Sequence, residues 1–466
     1  MGVQINSGRT AGLLPGMRFV LLSLLGVCCT CASRSPRCAL NGFWDASISQ
    51  CSCAPGWRGA RCAELALSPV RTQHFGLRNA SMPTWGGAAV FEAGRWHLIV
   101  GARARPSPRW PPNATDTDYP CDSRIVLAEA TTPGRSGLQG PYREVAELVP
   151  RSSWEPGLAR DPATGALVML FFGNISRAFP PPPVGSPRCR GVCGGHVPAG
   201  LPAYNLTTTN TYVTVSASGS VRGPWTEPQL ARGLENRPDA GVVRGDGHDW
   251  QCASGNPSPA FHPNGTLYAA FRHNPCWADG WGRRTREHIG LWRADAAGGT
   301  PAGHAGLGQW HPTSREPLFG WGTGGGNASH CVDADLCPSH EDPHLWFDPE
   351  GNAHVLTHYQ SSPPTQPGVH KTRGAYGWLG ANALAAGRNT PWTMETTPLQ
   401  SNVSAWEPAL RFTNGTTTAL GRRQRASIIR DPDTGNPVAL MNGADFSFGG
   451  DGCHWGSGFT LIQPLQ

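Results

Sequence analysis

One motif recurs along this chain and constrains its fold more than any composition does: an apolar or aromatic run, a short turn, and a returning apolar run. It appears as GGAAVFEAGRWHLIV at 86–100, EPGLARDPATGALVMLFF at 155–172, NPSPAFHPNGTLYAAF at 256–271, EDPHLWFDPEGNAHVLT at 341–357 and RASIIRDPDTGNPVALM at 425–441. The turns are rich in Pro, which presets one backbone angle, and Gly, which supplies another, so each unit reads as a β-hairpin. Related hairpins at intervals of roughly 70 to 100 residues mark a repeat architecture, and each interval has room for two more strands and long loops. The expected fold class is all-β: a five-bladed β-propeller over residues 85–466, each hairpin supplying the inner strands of one blade.

The chain ahead of the repeats has a different character. Met17 to Ala32 carries Arg18, the apolar run Phe19 to Cys29, and small residues at Thr30 and Ala32, so residues 1–32 read as an N-terminal extension and secretory signal peptide. The other reading, a signal anchor kept in the membrane, meets an apolar run well short of the ~20 residues a span needs. Of the 15 cysteines, Cys28, Cys29 and Cys31 fall in this segment, and the remaining twelve are an even number, as a fully oxidised protein requires. Glycosylation sequons begin at Asn79, Asn113, Asn174, Asn205, Asn264, Asn327, Asn402 and Asn414, those at Asn264 and Asn414 within Asn-Gly turns. Signal, cysteines and sequons together point to an extracellular or cell-surface protein. A net charge of +6, almost wholly Arg and scattered along 466 residues, gives no basic stripe for nucleic acid.

Residues 38–62 read CALNGFWDASISQCSCAPGWRGARC. The second half, Cys-x-Cys-x-Pro-Gly-Trp-x-Gly-x-x-Cys, resembles the C-terminal half of an EGF-like domain, with Gly56 and Gly59 in its tight turns. That resemblance implies the pairs Cys38–Cys51 and Cys53–Cys62, with the family's usual first bridge missing. A unit this small depends on disulfides because it has almost no core. Residues 63–84 read as a linker that can lend a strand to ring closure.

Beyond the hairpin pattern, Glu341-Asp342-Pro343 to His354, Asn256-Pro257-Ser258-Pro259, Arg423-Gln424-Arg425 and Trp85-Gly86-Gly87 resemble the EGF-bearing, five-bladed-propeller proteins of algae and protists related to glycoside hydrolase families 43 and 32. In catalytic members of those families three carboxylates project into the central funnel. One protonates the leaving oxygen, another activates water or attacks the sugar carbon, and an Asp tunes the pair. Here the first hairpin opens without a carboxylate. The second offers Glu155, the third Asn256 with Asp249 upstream, and the fourth Glu341 and Asp342, so the catalytic set does not map residue by residue.

The candidate catalytic residues are therefore Glu341, Asp342, Glu155 and Asp249, with the alternative that they cap strands or pair with Arg423 and Arg425. Trp85, Trp154, Asn256, Arg423 and Arg425 are the candidate substrate contacts, and interblade filler is the competing role for the tryptophans. Asp161, Asp348 and Asp431 belong to Asp-Pro turns and read as structural. No His/Cys spacing matches a zinc site, so neither a metal nor a cofactor is expected; the one calcium alternative is Asp333-Ala334-Asp335. The leading reading is a secreted or cell-surface propeller that binds carbohydrate or glycoprotein. A retained glycoside hydrolase, with Glu341 as acid and Glu155 or Asp249 as base, and a protein-adhesion module are its alternatives.

Overall fold

The computed structural model describes residues 34–79, 82–103, 123–150, 152–173, 175, 210–234, 254–273, 288–295, 308–313, 340–359, 373–386, 392–396, 404–446 and 458–466. Residues 1–32, read from sequence as a signal peptide, Asp249, the Asp333–Asp335 pair and the cysteines after Cys62 lie outside them.

Five four-stranded antiparallel sheets account for most of the described chain. Blade one is Thr84–Glu92, Arg95–Arg103, Ser123–Ala130 and Tyr142–Val149. Blade two is Ser153–Arg160, Leu167–Gly173, Asn210–Ser216 and Gln229–Leu230. Blade three is Ser254–Phe261, Leu267–His273, His288–Ala294 and Trp310–Pro312. Blade four is His340–Phe347, Ala353–Tyr359, Gly374–Leu379 and Thr393–Thr396. Blade five is Arg422–Arg430, Pro437–Asp445 and Phe459–Pro464, completed by Gly76–Leu77 from the other end of the chain. The sheets are the five-bladed propeller that the hairpin repeat predicts, and each repeated hairpin is the inner strand pair of a blade.

The second strands show why the apolar runs are continuous rather than alternating. In Leu167–Gly173 every residue is buried. Leu167, Met169 and Phe171 face a cluster shared with Ile99, Ile125 and Leu127 of blade one. Val168 and Leu170 face one shared with Leu267, Ala269 and Phe271 of blade three. A strand wedged between two neighbours has no solvent side, and burying each large side chain contributes about 1.5–3 kcal/mol. Two further interfaces repeat the arrangement, blades three and four around Leu345 and Val355, and blades five and one around Leu98, Ile429 and Met441. The Asp-Pro turns are held locally: Asp161 Oδ1 accepts the Ala163 N–H at 2.8 Å, and Asp348 Oδ1 accepts the Asn352 N–H at 2.8 Å.

The N-terminal module consists of the hairpin Gly42–Asp45/Gln50–Cys53 and the short pair Trp57–Arg58/Glu64–Leu65. Its disulfides join Cys38 to Cys51 and Cys53 to Cys62. Trp57 inserts beside Trp346 and Tyr376, with ring centroids 6.2 and 4.9 Å away. Trp346 is thereby part of the core, stacked on His354 at 5.0 Å.

Candidate functional site

All five inner strands carry the same irregularity. Their register against the second strand slips between Trp85 and Gly87, Trp154 and Gly157, Gly255 and Ser258, Glu341 and His344, and Gln424 and Ser427. At each slip one residue has a left-handed backbone: Gly86 (φ 57°), Glu155 (57°), Asn256 (54°), Asp342 (54°) and Arg425 (48°). A β-bulge re-aims one side chain out of the pleat, and repeated around a ring it turns one residue per blade toward the common axis. Glycine takes a positive φ at no steric cost, whereas each other residue type pays about 1–3 kcal/mol. Four blades bear that strain, which marks those side chains as used.

They converge on one another. The Asn256 N–H donates to Glu155 Oε2 at 2.8 Å, and its side-chain amide donates to Asp342 Oδ1. Asp342 Oδ2 accepts the Arg425 N–H at 3.0 Å. Arg425 Nη1 lies 3.8 Å from Glu155 Oε2 and 3.4 Å from Asp342 Oδ1, so the two carboxyl groups come within about 7 Å of each other, a range in which paired carboxyls can hydrolyse a glycoside. Blade one contributes only space. A Cβ on Gly86 would stand 2.7 Å from the Arg425 Cβ, so Arg425 occupies the place where a fifth side chain would project.

A second tier surrounds this one. Glu341, next to the bulge, pairs with Arg272 from the second strand of blade three. His358, opposite Glu341 in the ladder, sets Nε2 3.3 Å from Glu341 Oε2 and Nδ1 3.0 Å from Asp342 Oδ2. The matching positions of blades one and two are aromatic: Trp85 lies over Gly443, where a Cβ would be 2.6 Å from the indole, and Trp154 meets Phe172 edge-on at 5.3 Å. Both indoles are buried. At the bulges lies a cavity of about 40 Å³ lined by Asp342, Arg425, Pro156, Pro257, Pro343 and Ser258, enough for ordered water.

Burial and charge divide the two axial carboxylates. Burial pushes the Glu155 carboxyl above its ordinary range and Asp342 adds to this, against the pull of Arg425, Arg272 and the Asn256 N–H. Burial acts on Asp342 in the same sense, but His358, Arg425 and Arg272 outweigh it and hold Asp342 at about 2. Of the other sequence candidates, Arg423 does not reach the axis. Fully buried, it donates to Asn442 Oδ1 (3.0 Å), the Glu407 carbonyl (3.0 Å) and Gln463 Oε1 (2.9 Å). Arg272 was not singled out from sequence; a lone Arg ending an apolar strand carries no signal until the ladder sets it beside Glu341. His358, too, has no signal in sequence until the ladder sets it opposite Glu341. Glu341, Asp342 and His358 do offer three donor atoms within 4.8 Å of one another, all from buried residues, yet Arg272 and Arg425 already neutralise both carboxylates.

No protein-family model matches the chain and no curated protein is similar to it. Among solved structures it is similar to an endo-arabinase from Bacteroides thetaiotaomicron at 12% identity and a TM-score of 0.43, over 84% of this chain and 97% of that one. It is also similar to an α-L-arabinofuranosidase from Lactobacillus brevis, at 10% identity and a TM-score of 0.46 over 85% and 93% of the two chains. A thermostable family-43 glycoside hydrolase gives 11% and 0.46 over 86% and 92%. At that distance neither the activity nor the substrate of these proteins transfers to this chain. No helix among the described residues is long and apolar enough to cross a membrane.

Proposed function

We propose that the propeller is a carbohydrate-binding module of a secreted or cell-surface protein, and that its axial carboxylates pin the ring rather than cleave a glycosidic bond. The observation that carries this reading is Gly86 with Arg425 in its space. Hydrolysis needs an acid and an unencumbered base on opposite sides of a sugar. Here the carboxylate facing blade one is absent, and the guanidinium that replaces it sits between Glu155 and Asp342. In the tier beside it Trp85, Trp154, Phe172 and His358 are buried and hold the ring together, while the Arg272–Glu341 pair, whose side chains keep 19% and 10% exposure, offers charged partners to a sugar's hydroxyls. The EGF-like reading of the N-terminal module and its two disulfides support an oxidising, extracellular setting.

Calorimetric titration of the purified protein with a panel of neutral and acidic polysaccharides, with a reducing-end assay on the same mixtures, tests the reading. Expected are saturable binding, no release of reducing ends, and weaker binding by a folded Glu341→Gln variant. Release of reducing ends that disappears in Glu155→Gln or Asp342→Asn would replace it with the hydrolase reading. One observation favours that alternative: the environment drives the Glu155 and Asp342 carboxyls in opposite directions, as in an acid/base pair. Absence of any glycan binding would leave the protein-adhesion reading.

A further inference from the structure

Among the described residues blade five has three strands of its own. The free edge of its Phe459–Pro464 strand is bonded to chain that precedes the propeller. Thr460 and Leu461 pair with Leu77 and Gly76, and the Ile462 N–H donates to the Phe75 carbonyl at 2.9 Å. The seam then runs into the disulfide module: the Ser68 N–H donates to Pro464 O at 2.8 Å, the Gln466 N–H to Ala66 O at 2.8 Å, and the Gly56 N–H to Gln466 O at 3.0 Å. The module is itself fastened to blade four and the segment after it. Tyr376 Oη donates to Ala39 O at 2.7 Å, the Leu65 N–H donates to Ala405 O at 2.9 Å, and Arg61 donates to both Glu395 oxygens at 2.7 and 2.8 Å.

Its two disulfides are placed differently in this seam. Cys53–Cys62 closes the loop that contains Gly56, Trp57 and Arg61, all of which hold the module to the ring. Cys38–Cys51 ties the turn Pro36–Cys38 to a strand whose Gln50 and Ser52 face solvent. Cys38 and Cys62 are both fully buried in the cluster of Trp57, Trp346 and Leu440, and Cys51 and Cys53 are both half-buried; what distinguishes Cys53–Cys62 is that its loop carries Gly56, which bonds the C-terminal strand.

We propose that Cys53–Cys62 is a redox-sensitive clasp on the propeller: reducing it frees the C-terminal strand from residues 56–68 and loosens blade five, the blade that carries Arg425. In the opening step a thiolate of a dithiol reductant attacks the accessible Cys53 sulfur. The S–S bond breaks and Cys62 leaves as a thiolate that takes up a proton. The second thiol of the reductant then displaces Cys53, so two electrons and two protons pass to the protein and the reductant ends as a disulfide. Removal of the Cys38–Cys51 bridge loosens residues 36–53, including the Ala39 contact to Tyr376, but its loop holds none of the residues bonded to the C-terminal strand.

Amide hydrogen exchange on the full chain tests this. In Cys53→Ser/Cys62→Ser, exchange at 459–466 is expected to rise on the order of a hundredfold, the loop-closure effect of a bridge around about ten residues. In Cys38→Ser/Cys51→Ser it rises at 36–53 and stays at the wild-type rate at 459–466. Wild-type protection of 459–466 in the first variant, or an equal rise there in both, overturns the proposal. Should the first variant fail to accumulate folded, wild-type protein is titrated with dithiothreitol and trapped with iodoacetamide. The species alkylated at Cys53 and Cys62 alone is then measured against the same two outcomes.

Discussion

Blade one and blade four reach the axis through the same bulge and bring opposite contents to it. Blade four presents Asp342 at the bulge, Glu341 beside it and His358 across the ladder, every one buried. Blade one presents Gly86, which has no side chain, with Trp85 beside it and Gly101 across. The backbone is shared, so the difference lies in which side chains occupy a repeated geometry. Strain falls where a polar or charged side chain reaches the axis, and at Gly86 it is avoided so that Arg425 can cross the axis.

The largest expected effect breaks the charged side of this comparison. Asp342→Ala leaves Arg425 buried without its shortest-range carboxylate partner and strips an acceptor from Asn256. Removing one member of a buried pair costs about 3–5 kcal/mol. Chemical denaturation should show that loss as a lowered midpoint with an unchanged slope. Restoring a side chain to the empty position is the converse. Gly86→Ala meets the Arg425 Cβ at 2.7 Å with φ at 57°, and overpacking with backbone strain costs about 1–3 kcal/mol. A change below a few tenths of that in the same denaturation series would show that Arg425 can move aside, and would remove the reason given for the glycine.

Acid should act on blade four before the others. His340 is buried, with Nδ1 2.8 Å from Thr357 Oγ1, and burial together with the nearby His358 holds it down at about 3. His344 is likewise lowered to about 3, by burial and then Arg430. A histidine depressed in the folded state stays neutral there while the unfolded chain takes up a proton below about pH 6.5. Stability is therefore complete above that pH and falls as pH drops toward 3, by about 1.4 kcal/mol per unit from His340 alone. Denaturation midpoints measured from pH 7 to 4 check the slope, and His340→Phe should flatten it if the variant folds.

Much of this architecture is legible from local chemistry. The Pro and Gly of the turns around Asp161, Asp348 and Asp431 act within a few residues, so five hairpins and hence five blades can be read off directly. The axial residues Glu155, Asn256 and Asp342 are legible for a related reason: each is followed by Pro and opens an apolar run. What sequence does not disclose is pairing across strands. Arg272 meets Glu341 only because the bulges shift two ladders in step, and Arg423 and Arg425, two residues apart, are divided by the same shift. Arg423 turns outward into Asn442 and Gln463, while Arg425 turns to the axis. The vacancy at Gly86 is visible in sequence as a missing carboxylate; that Arg425 fills it is a three-dimensional fact.

The smallest expected effect bears most directly on what the axis is for. Glu155 and Asp342 share Arg425, yet their environments treat them oppositely, raising one carboxyl and lowering the other. A glutamine at 155 keeps an oxygen to accept the Asn256 N–H, now 2.8 Å from Glu155, and discards a charge that burial already disfavours. Glu155→Gln should thus change stability by less than about 1 kcal/mol, whereas Asp342→Asn, which weakens a carboxylate held by Arg425, Asn256 and His358, should cost several times more. If Asp342 is a pin and Glu155 a tolerated acid, glycan affinity survives Glu155→Gln and, among variants of these two carboxyls, falls only with those that unsettle Arg425. Equal losses of affinity in two variants of such unequal stability would mean that both carboxyls touch the ligand, and that the axis is a binding surface rather than its foundation.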